Sequence, residues 1–356
     1  MPPTARRTLC IALAALLLAA CGAAAADAPP YPPSPVIAGI AWDFAARIRL
    51  APGSDNWPIT WAADGHQYTS WGDGGGFGGT NSDGRVSLGV ARIEGPADGY
   101  TGHNVWGGKG GAHPARFSGK SYGILALGDV LYMWVQPGSG TANYEEARLH
   151  RSADHGATWQ RAGWAFSKAQ RLIAPAFCQF GRGCAGARDA YVYCYAVRLR
   201  DDRAKVQRPG AVDLMRVPKD GLMERARYEF FAGLDAGGRP IWKQDIAARQ
   251  PVFEDPAGVG PRLSVSYNPG LRRYLLCVEH GRPYQGDLGI FDAPEPWGPW
   301  TTVAYDRNWG GLGSNFYWNF SNKWLSDDGL RFVLIFTGTG HNDAWNTVPG
   351  RFLLRP

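Results

Sequence analysis

The chain has 356 residues, with 37 Lys and Arg against 31 Asp and Glu, and 45% of its residues are hydrophobic and 13% aromatic. The basic residues are scattered and form no nucleic-acid stripe, which excludes nucleic acid as a partner and leaves charge for solubility and some attraction to an anionic envelope polymer. Its 48 Gly, 26 Pro and 15 Trp, with few long amphipathic helical stretches, point to an all-β chain of short strands and tight turns.

Residues 1–20 read as a leader. Arg6 and Arg7 precede an apolar stretch, Ile11 to Ala20, too short to span a bilayer as a mature helix. Leu18-Ala19-Ala20-Cys21-Gly22 has the form of a bacterial lipobox, in which the Cys21 thiol takes the lipid; a cut after one of the alanines at 23–26 would leave no anchor. Either cut exports the protein, so the expected location is the cell envelope, with membrane attachment only through that lipid, or outside the cell. Losing Arg6 and Arg7 leaves 35 basic residues against 31 acidic, a charge of +4. Residues 21–35, rich in Ala and Pro, read as a flexible tether. Residues 36–356 contain no internal linker and read as one domain.

The first hairpin begins at Asp55-Asn56-Trp57-Pro58, runs through Ile59-Thr60-Trp61, turns at Asp64-Gly65 and leaves through Trp71-Gly72-Asp73. Antiparallel pairing puts Asp55 and Asp73 at the same edge of the sheet. The run Gly74-Gly75-Gly76-Phe77-Gly78-Gly79 lacks the Lys-Ser or Lys-Thr of a phosphate loop and reads as a flexible loop at that edge. The same pattern returns at Gly123–Val135, around Ala190–Tyr195, at Leu263–Val278 and at Lys323–Phe336. Taking Tyr68, Tyr132, Tyr193, Tyr274 and Phe332 as markers, the spacings are 64, 61, 81 and 58 residues. With a further alternating segment after each hairpin, each repeat reads as a four-stranded sheet. Five such sheets predict a five-bladed β-propeller. The last repeat ends too soon for a fourth strand, and Val36–Leu50 has no blade of its own, so the N-terminal strand is expected to close the last blade. Ser152, Asp154, Gly156, Thr158 and Trp159 have the spacing of the Asp-box of sialidase-type propellers, a structural turn on outer strands.

Blade geometry gathers the strand ends at one mouth of a central channel. Asp55, Asn56 and Asp73 are placed there with Trp57 beside them, as are Lys120, Ser121, Tyr122 and Gln136, Gln179 and Arg198, Arg262 and His280, and Trp318, Asn319, Lys323 and His341. Glu279 completes a set of three carboxylates. Glycoside hydrolysis needs a protonated carboxyl for the leaving oxygen and a carboxylate to activate water or attack the anomeric carbon, and Asp55, Asp73 and Glu279 are the candidate catalytic residues. The other residues suit sugar recognition, though His280 and His341 are also ordinary structural histidines. Cys178, Cys184, Cys194 and Cys277 are candidate disulfides in an exported chain, paired 178–184 and 194–277 among three possible pairings. No histidine stands at ligand spacing from them, so neither a metal nor another cofactor is expected, and the protein is expected to be a monomer acting on a polysaccharide.

Asp55–Trp61 with Trp71-Gly72-Asp73-Gly74, Lys120-Ser121-Tyr122-Gly123, Tyr267-Asn268-Pro269 with Glu279-His280-Gly281, and Phe291–Trp300 resemble a bacterial family long listed as a domain of unknown function, part of which is glycoside hydrolase family 183, the endo-D-arabinanases that cut mycobacterial arabinogalactan and lipoarabinomannan. The likeness covers nearly all of the chain after the leader. It implies a five-bladed propeller, an acid pair at Asp55 and Asp73, and endo-acting hydrolysis of D-arabinan. A propeller that binds glycan without cutting it is the alternative.

Overall fold

The computed structural model describes residues 28–137, 145–201, 205–339 and 342–356. Among them the fold is all-β, with no α-helix and only short 3-10 turns. Strands β1 (Ile37–Trp42) and β2 (Ile48–Leu50) precede a first meander of β3 (Ile59–Trp61), β4 (Gln67–Gly72), β5 (Leu88–Glu94) and β6 (Thr101–Trp106). The second contains β7 (Lys120–Leu127), β8 (Val130–Gln136), β9 (Glu146–Ser152) and β10 (Gln160–Arg161), with β11 (Phe166–Ser167) also on β9. The third contains β12 (Leu172–Gln179), β13 (Tyr191–Arg198), β14 (Gly210–Pro218), β15 (Glu229–Leu234) and β16 (Pro240–Lys243), with β17 (Pro251–Asp255) on β14. The fourth is β18 (Ser264–Asn268), β19 (Arg273–Glu279), β20 (Leu288–Ala293) and β21 (Thr301–Asp306). The fifth has β22 (Phe316–Phe320), β23 (Arg331–Thr339) and β24 (Asn342–Leu354), and β1 pairs antiparallel with β24 from Ile37 opposite Leu354 to Trp42 opposite Gly350.

Hydrogen bonds tie the inner strands to one another. The Ala126 amide donates to Thr60 Oγ1 (2.9 Å), Gln179 Nε2 to the Ile124 carbonyl (2.8 Å), and Ser264 Oγ to the Trp318 carbonyl (2.6 Å). Strand β12 pairs in parallel with β18, and Asn319 Nδ2 donates to the Trp57 carbonyl (3.3 Å), which joins the fifth meander to the first. Trp57, Trp71, Phe77 and Trp345 pack at that junction, with ring centroids 5.4–5.8 Å apart. The space lined by β3, β7, β12, β18 and β22 has a volume of only about 10 Å³, room for about one water. That is too little room for a sugar to thread the space between these strands.

Residues 28–35, the described part of the segment read as a tether, lie along the fourth meander. The Thr302 amide donates to the Pro32 carbonyl (2.7 Å), Ser34 Oγ to Asp292 Oδ2 (3.0 Å), and the Tyr31 ring meets Phe253 and Phe291. The lipobox and Cys21 lie outside the described residues.

The expected disulfides are corrected: Cys178, Cys184, Cys194 and Cys277 are free, buried thiols. Cys194 lies on β13 and Cys277 on β19, with β12 and β18 between them. Three strand spacings amount to about 14 Å, twice the reach of a disulfide. The 178–184 loop is closed by its main chain instead, with the Cys184 amide on the Gly181 carbonyl (3.2 Å) and the Gly186 amide on the Phe180 carbonyl (2.9 Å). Burial pushes the Cys184 thiol up to about 11 and Cys178 well above its usual range, which suppresses the thiolate needed for exchange. Alkylation in denaturant without reductant should therefore label all four cysteines, and reductant should leave the melting temperature unchanged. A protected pair would contradict this.

Candidate active site

Asp55 and Gly72 exchange two backbone hydrogen bonds, 2.8 and 2.7 Å, which extend the first hairpin beyond the Pro58 interruption and bring Asp55 beside the residue before Asp73. Gly72 leaves the room that the two side chains beside it occupy. A Cβ at this position would lie 2.8 Å from Asp55 Oδ1 and 2.9 Å from Lys120 Cδ. Lys120, the first residue of β7, places Nζ 2.7 Å from Asp73 Oδ1, and Arg85 Nη2 lies 3.2 Å from the same oxygen. Asn56 Nδ2 donates to Asp55 Oδ1 (2.7 Å) and Arg262 Nε donates to Asn56 Oδ1 (2.5 Å). Arg262 also donates to the Tyr284 hydroxyl (3.1 Å) and lies 4.9–5.5 Å from the rings of Tyr122, Tyr284 and Phe316. Two cations thus stand behind the acids, both almost fully buried.

Burial dominates the titration of Asp55, which is 8% exposed, and raises it to about 7. Lys120 and Arg262 pull it down, while Asp343 and Asp73 push it further up. Glu279 is fully sealed at 0% exposure and also raised to about 7 by burial, against the pull of Arg262 and of the Tyr284 amide that donates to it. Asp343, at the start of β24, was not anticipated from sequence. Asp343 is exposed at this edge, yet its carboxyl is raised by the protein around it and by Asp73, with Arg262, Lys120 and Arg85 acting the other way. Its backbone oxygen accepts from the Gly53 amide, two residues before Asp55. The readable signal was that Asp343 leaves the fifth hairpin much as Asp73 leaves the first.

The other expected mouth residues divide. Trp57 is fully buried, because Asn56 takes a left-handed backbone (φ 58°) and the next side chain points into the core. Trp318 is likewise sealed mid-strand, its Nε1 donating to Asn315 Oδ1 (3.0 Å), and Asn319 holds the junction of the fifth meander with the first. Neither tryptophan presents a ring to a sugar. Ser121, 1% exposed, turns at a strand irregularity to bond the Gly123 carbonyl (3.4 Å). Arg198 is bound to Asp213, which it shares with Arg249, within its own meander. His280 stacks on Tyr305 at 3.7 Å and 8°, its Nε2 3.1 Å from the Asp306 carbonyl, and burial lowers it to about 4, so it is a neutral structural group. Gln179 ends β12 with its side chain in the central space, on the Ile124 carbonyl, and Lys323 follows β22 at the far end of these strands. His341 lies outside the described residues.

The glycine-rich loop is pinned rather than flexible. Asn104 accepts from the Phe77 amide (3.0 Å) and donates to the carbonyls of Gly75, Phe77 and Lys109, and Ser54 Oγ accepts from the Gly76 amide (2.9 Å). The Asp-box motif is the expected turn: Asp154 takes Ser152 Oγ (2.7 Å), the Thr158 amide (2.9 Å) and Thr158 Oγ1 (2.6 Å). Asp64, Asp129 and His155 offer ligand atoms within 4.8 Å of one another, but Asp64 already accepts from Tyr68, and Asp129 from the Asp64 amide.

Because the folded-state pKa of Asp55 lies above its unfolded value of about 3.8, the native state keeps a proton that the unfolded chain loses between there and about 7. Stability therefore falls as pH rises through that window, by an amount on the order of a few kcal/mol. Asp55→Asn should raise the melting temperature at pH 8 by a few degrees and change it little at pH 4. Equal shifts at both pH values would contradict the burial argument.

The chain resembles solved structures at low identity. A candidate hydrolase from Bacteroides ovatus is 12% identical over 85% of this chain and 87% of that one, with a TM-score of 0.52. A protein of unknown function from Dyadobacter fermentans is 11% identical over 89% of this chain and 100% of that one, with a TM-score of 0.50. A thermostable family-43 glycoside hydrolase is 12% identical over 83% of this chain and 89% of that one, at 0.49. The first two share the fold. No curated protein matches the sequence significantly. Residues 124–308, more than half of the chain, match the family model named Domain of unknown function (DUF4185), and the chain belongs to that family.

Proposed function

We propose that the chain is an exported glycoside hydrolase that cuts a furanose-containing polysaccharide, D-arabinan at internal bonds, and that its meanders form a five-bladed propeller closed by the N-terminal strand. The observation that carries the reading is the contrast between two neighbouring acids. Asp55 is nearly sealed and raised to about 7, while Asp73 is ion-paired with Lys120 and Arg85. A buried carboxyl that keeps its proton, beside a second carboxylate held by two cations, is the pair that glycoside hydrolysis needs. Asp55 delivers its proton to the leaving oxygen, and Asp73 activates water or attacks the anomeric carbon. Glu279, sealed from solvent, acts as a positioning group through Arg262 and Asn56. The choice of D-arabinan rests on the resemblance of the Asp55–Trp61 and Trp71–Gly74 segments to the endo-D-arabinanases, and export on the lipobox at Cys21. Binding without catalysis is less favoured, because Trp318, the ring it would use, is buried.

Reducing-end release across a panel including D-arabinan and L-arabinan should select D-arabinan. Asp55→Asn and Asp73→Asn should each lower turnover by about 10² to 10⁴-fold while remaining folded. Undiminished turnover in both variants sinks the assignment. Since the acid must be protonated, turnover should fall as pH rises through about 7. Asp343→Asn removes a charge that raises Asp55 and should move that alkaline limb to lower pH; an unmoved limb would exclude Asp343 from the site.

A further inference from the structure

On the side of the inner strands away from Asp55 and Asp73 is a pocket of about 380 Å³, within the usual size range of ligand sites. Four separate turns build it: the end of β3, the loop after β12, and the β18–β19 and β22–β23 connections. Trp61 and Tyr267 line it as half-buried rings, and Trp61 is oriented by its Nε1 bond to the Gly65 carbonyl (3.3 Å). Two cations also face the pocket. Arg182 is anchored at the rim by Nε on the Ala63 carbonyl (2.9 Å), and Lys323 is half-buried with no ion pair or hydrogen bond for Nζ among the described residues.

Lys323 is half-buried and Arg182 is exposed beside the same pocket, and two cations lining one pocket disfavour each other's charge unless an anion joins them. Burial lowers Lys323, Arg182 lowers it further, and Asp64 and Glu94 act the other way. Both of those acids are already engaged, Asp64 with Tyr68 and the His66 amide, Glu94 with Arg92. Asp327, exposed on the rim, and Asn322, whose Oδ1 accepts the Gly181 amide (3.1 Å), supply polar groups of the kind that read hydroxyls.

We propose that this pocket binds a sugar unit carrying an anionic group, with its ring against Trp61 and Tyr267 and its carboxylate or phosphate between Lys323 and Arg182. The site holds an acidic glycan on the side of the inner strands away from the acids, and it stands whether or not Asp55 and Asp73 are catalytic. Calorimetric titration of the full chain with D-glucuronate, D-glucose 6-phosphate, D-glucose and inorganic phosphate tests it. At least one acidic sugar should bind about tenfold more tightly than glucose and than inorganic phosphate, and which one does identifies the anion. Lys323→Met and Trp61→Ala should each weaken that binding about tenfold, and Lys323→Arg should restore it, with melting temperatures recording that the variants fold. Glucose binding as tightly as both acidic sugars, binding by neither, or full affinity in folded Lys323→Met would overturn the proposal.

Discussion

The arrangement of the mouth depends on burying the Asp55 carboxyl beside Lys120 and Arg262. A carboxyl removed from water resists ionisation, and a nearby cation opposes that; here burial wins and Asp55 titrates at about 7. Gly72 is what admits the packing, since any side chain there would strike both Asp55 and Lys120. Asn56 then couples Asp55 to Arg262, and Arg262 pulls on Glu279, so acids from the first and fourth meanders share one set of charges. Such a cluster is expensive in stability, which is the usual character of a site built for chemistry rather than for folding.

Bonds between the inner strands make that cluster possible by fixing strand ends that are distant in sequence. Hydrogen bonds pass from each inner strand to the next, and the Trp57, Trp71, Phe77 and Trp345 cluster joins last to first. The middle is filled, so each end is a separate surface. One end carries the carboxyl groups and the other the aromatic and cationic pocket. Asn104 adds local rigidity, since its amide makes four of the bonds that fix the glycine-rich loop after Asp73, with Ser54 making another.

Much of this was legible in the sequence. Alternation and turn residues placed the inner hairpins of the first, second and fourth meanders, and antiparallel pairing alone put Asp55 next to Asp73. The third and fifth were harder to read. Strand β12, Leu172–Gln179, is a continuous apolar run without a turn signal before it, so Gln179 was assigned to the wrong end. In the fifth, Lys323-Trp324-Leu325 looked like a strand but lies in the connection after β22, Phe316–Phe320, which moved Trp318 and Asn319 into the wrong place. Burial was the other blind spot. Trp57, Trp318 and His280 have the composition of a sugar site, and only tertiary packing reveals that they are core. The cysteines followed a rule for exported chains that the sheet order overrides, because strands intervene between Cys194 and Cys277.

The central claim is that Asp55 holds a proton near neutral pH while its neighbour Asp73 is ion-paired. Carbon NMR of side-chain carboxyl groups in aspartate-labelled protein, with the Asp55 signal assigned by its loss in Asp55→Asn, measures this directly. The account predicts a titration midpoint close to 7 for Asp55. A midpoint near 4, the ordinary value for an exposed aspartate, would contradict it.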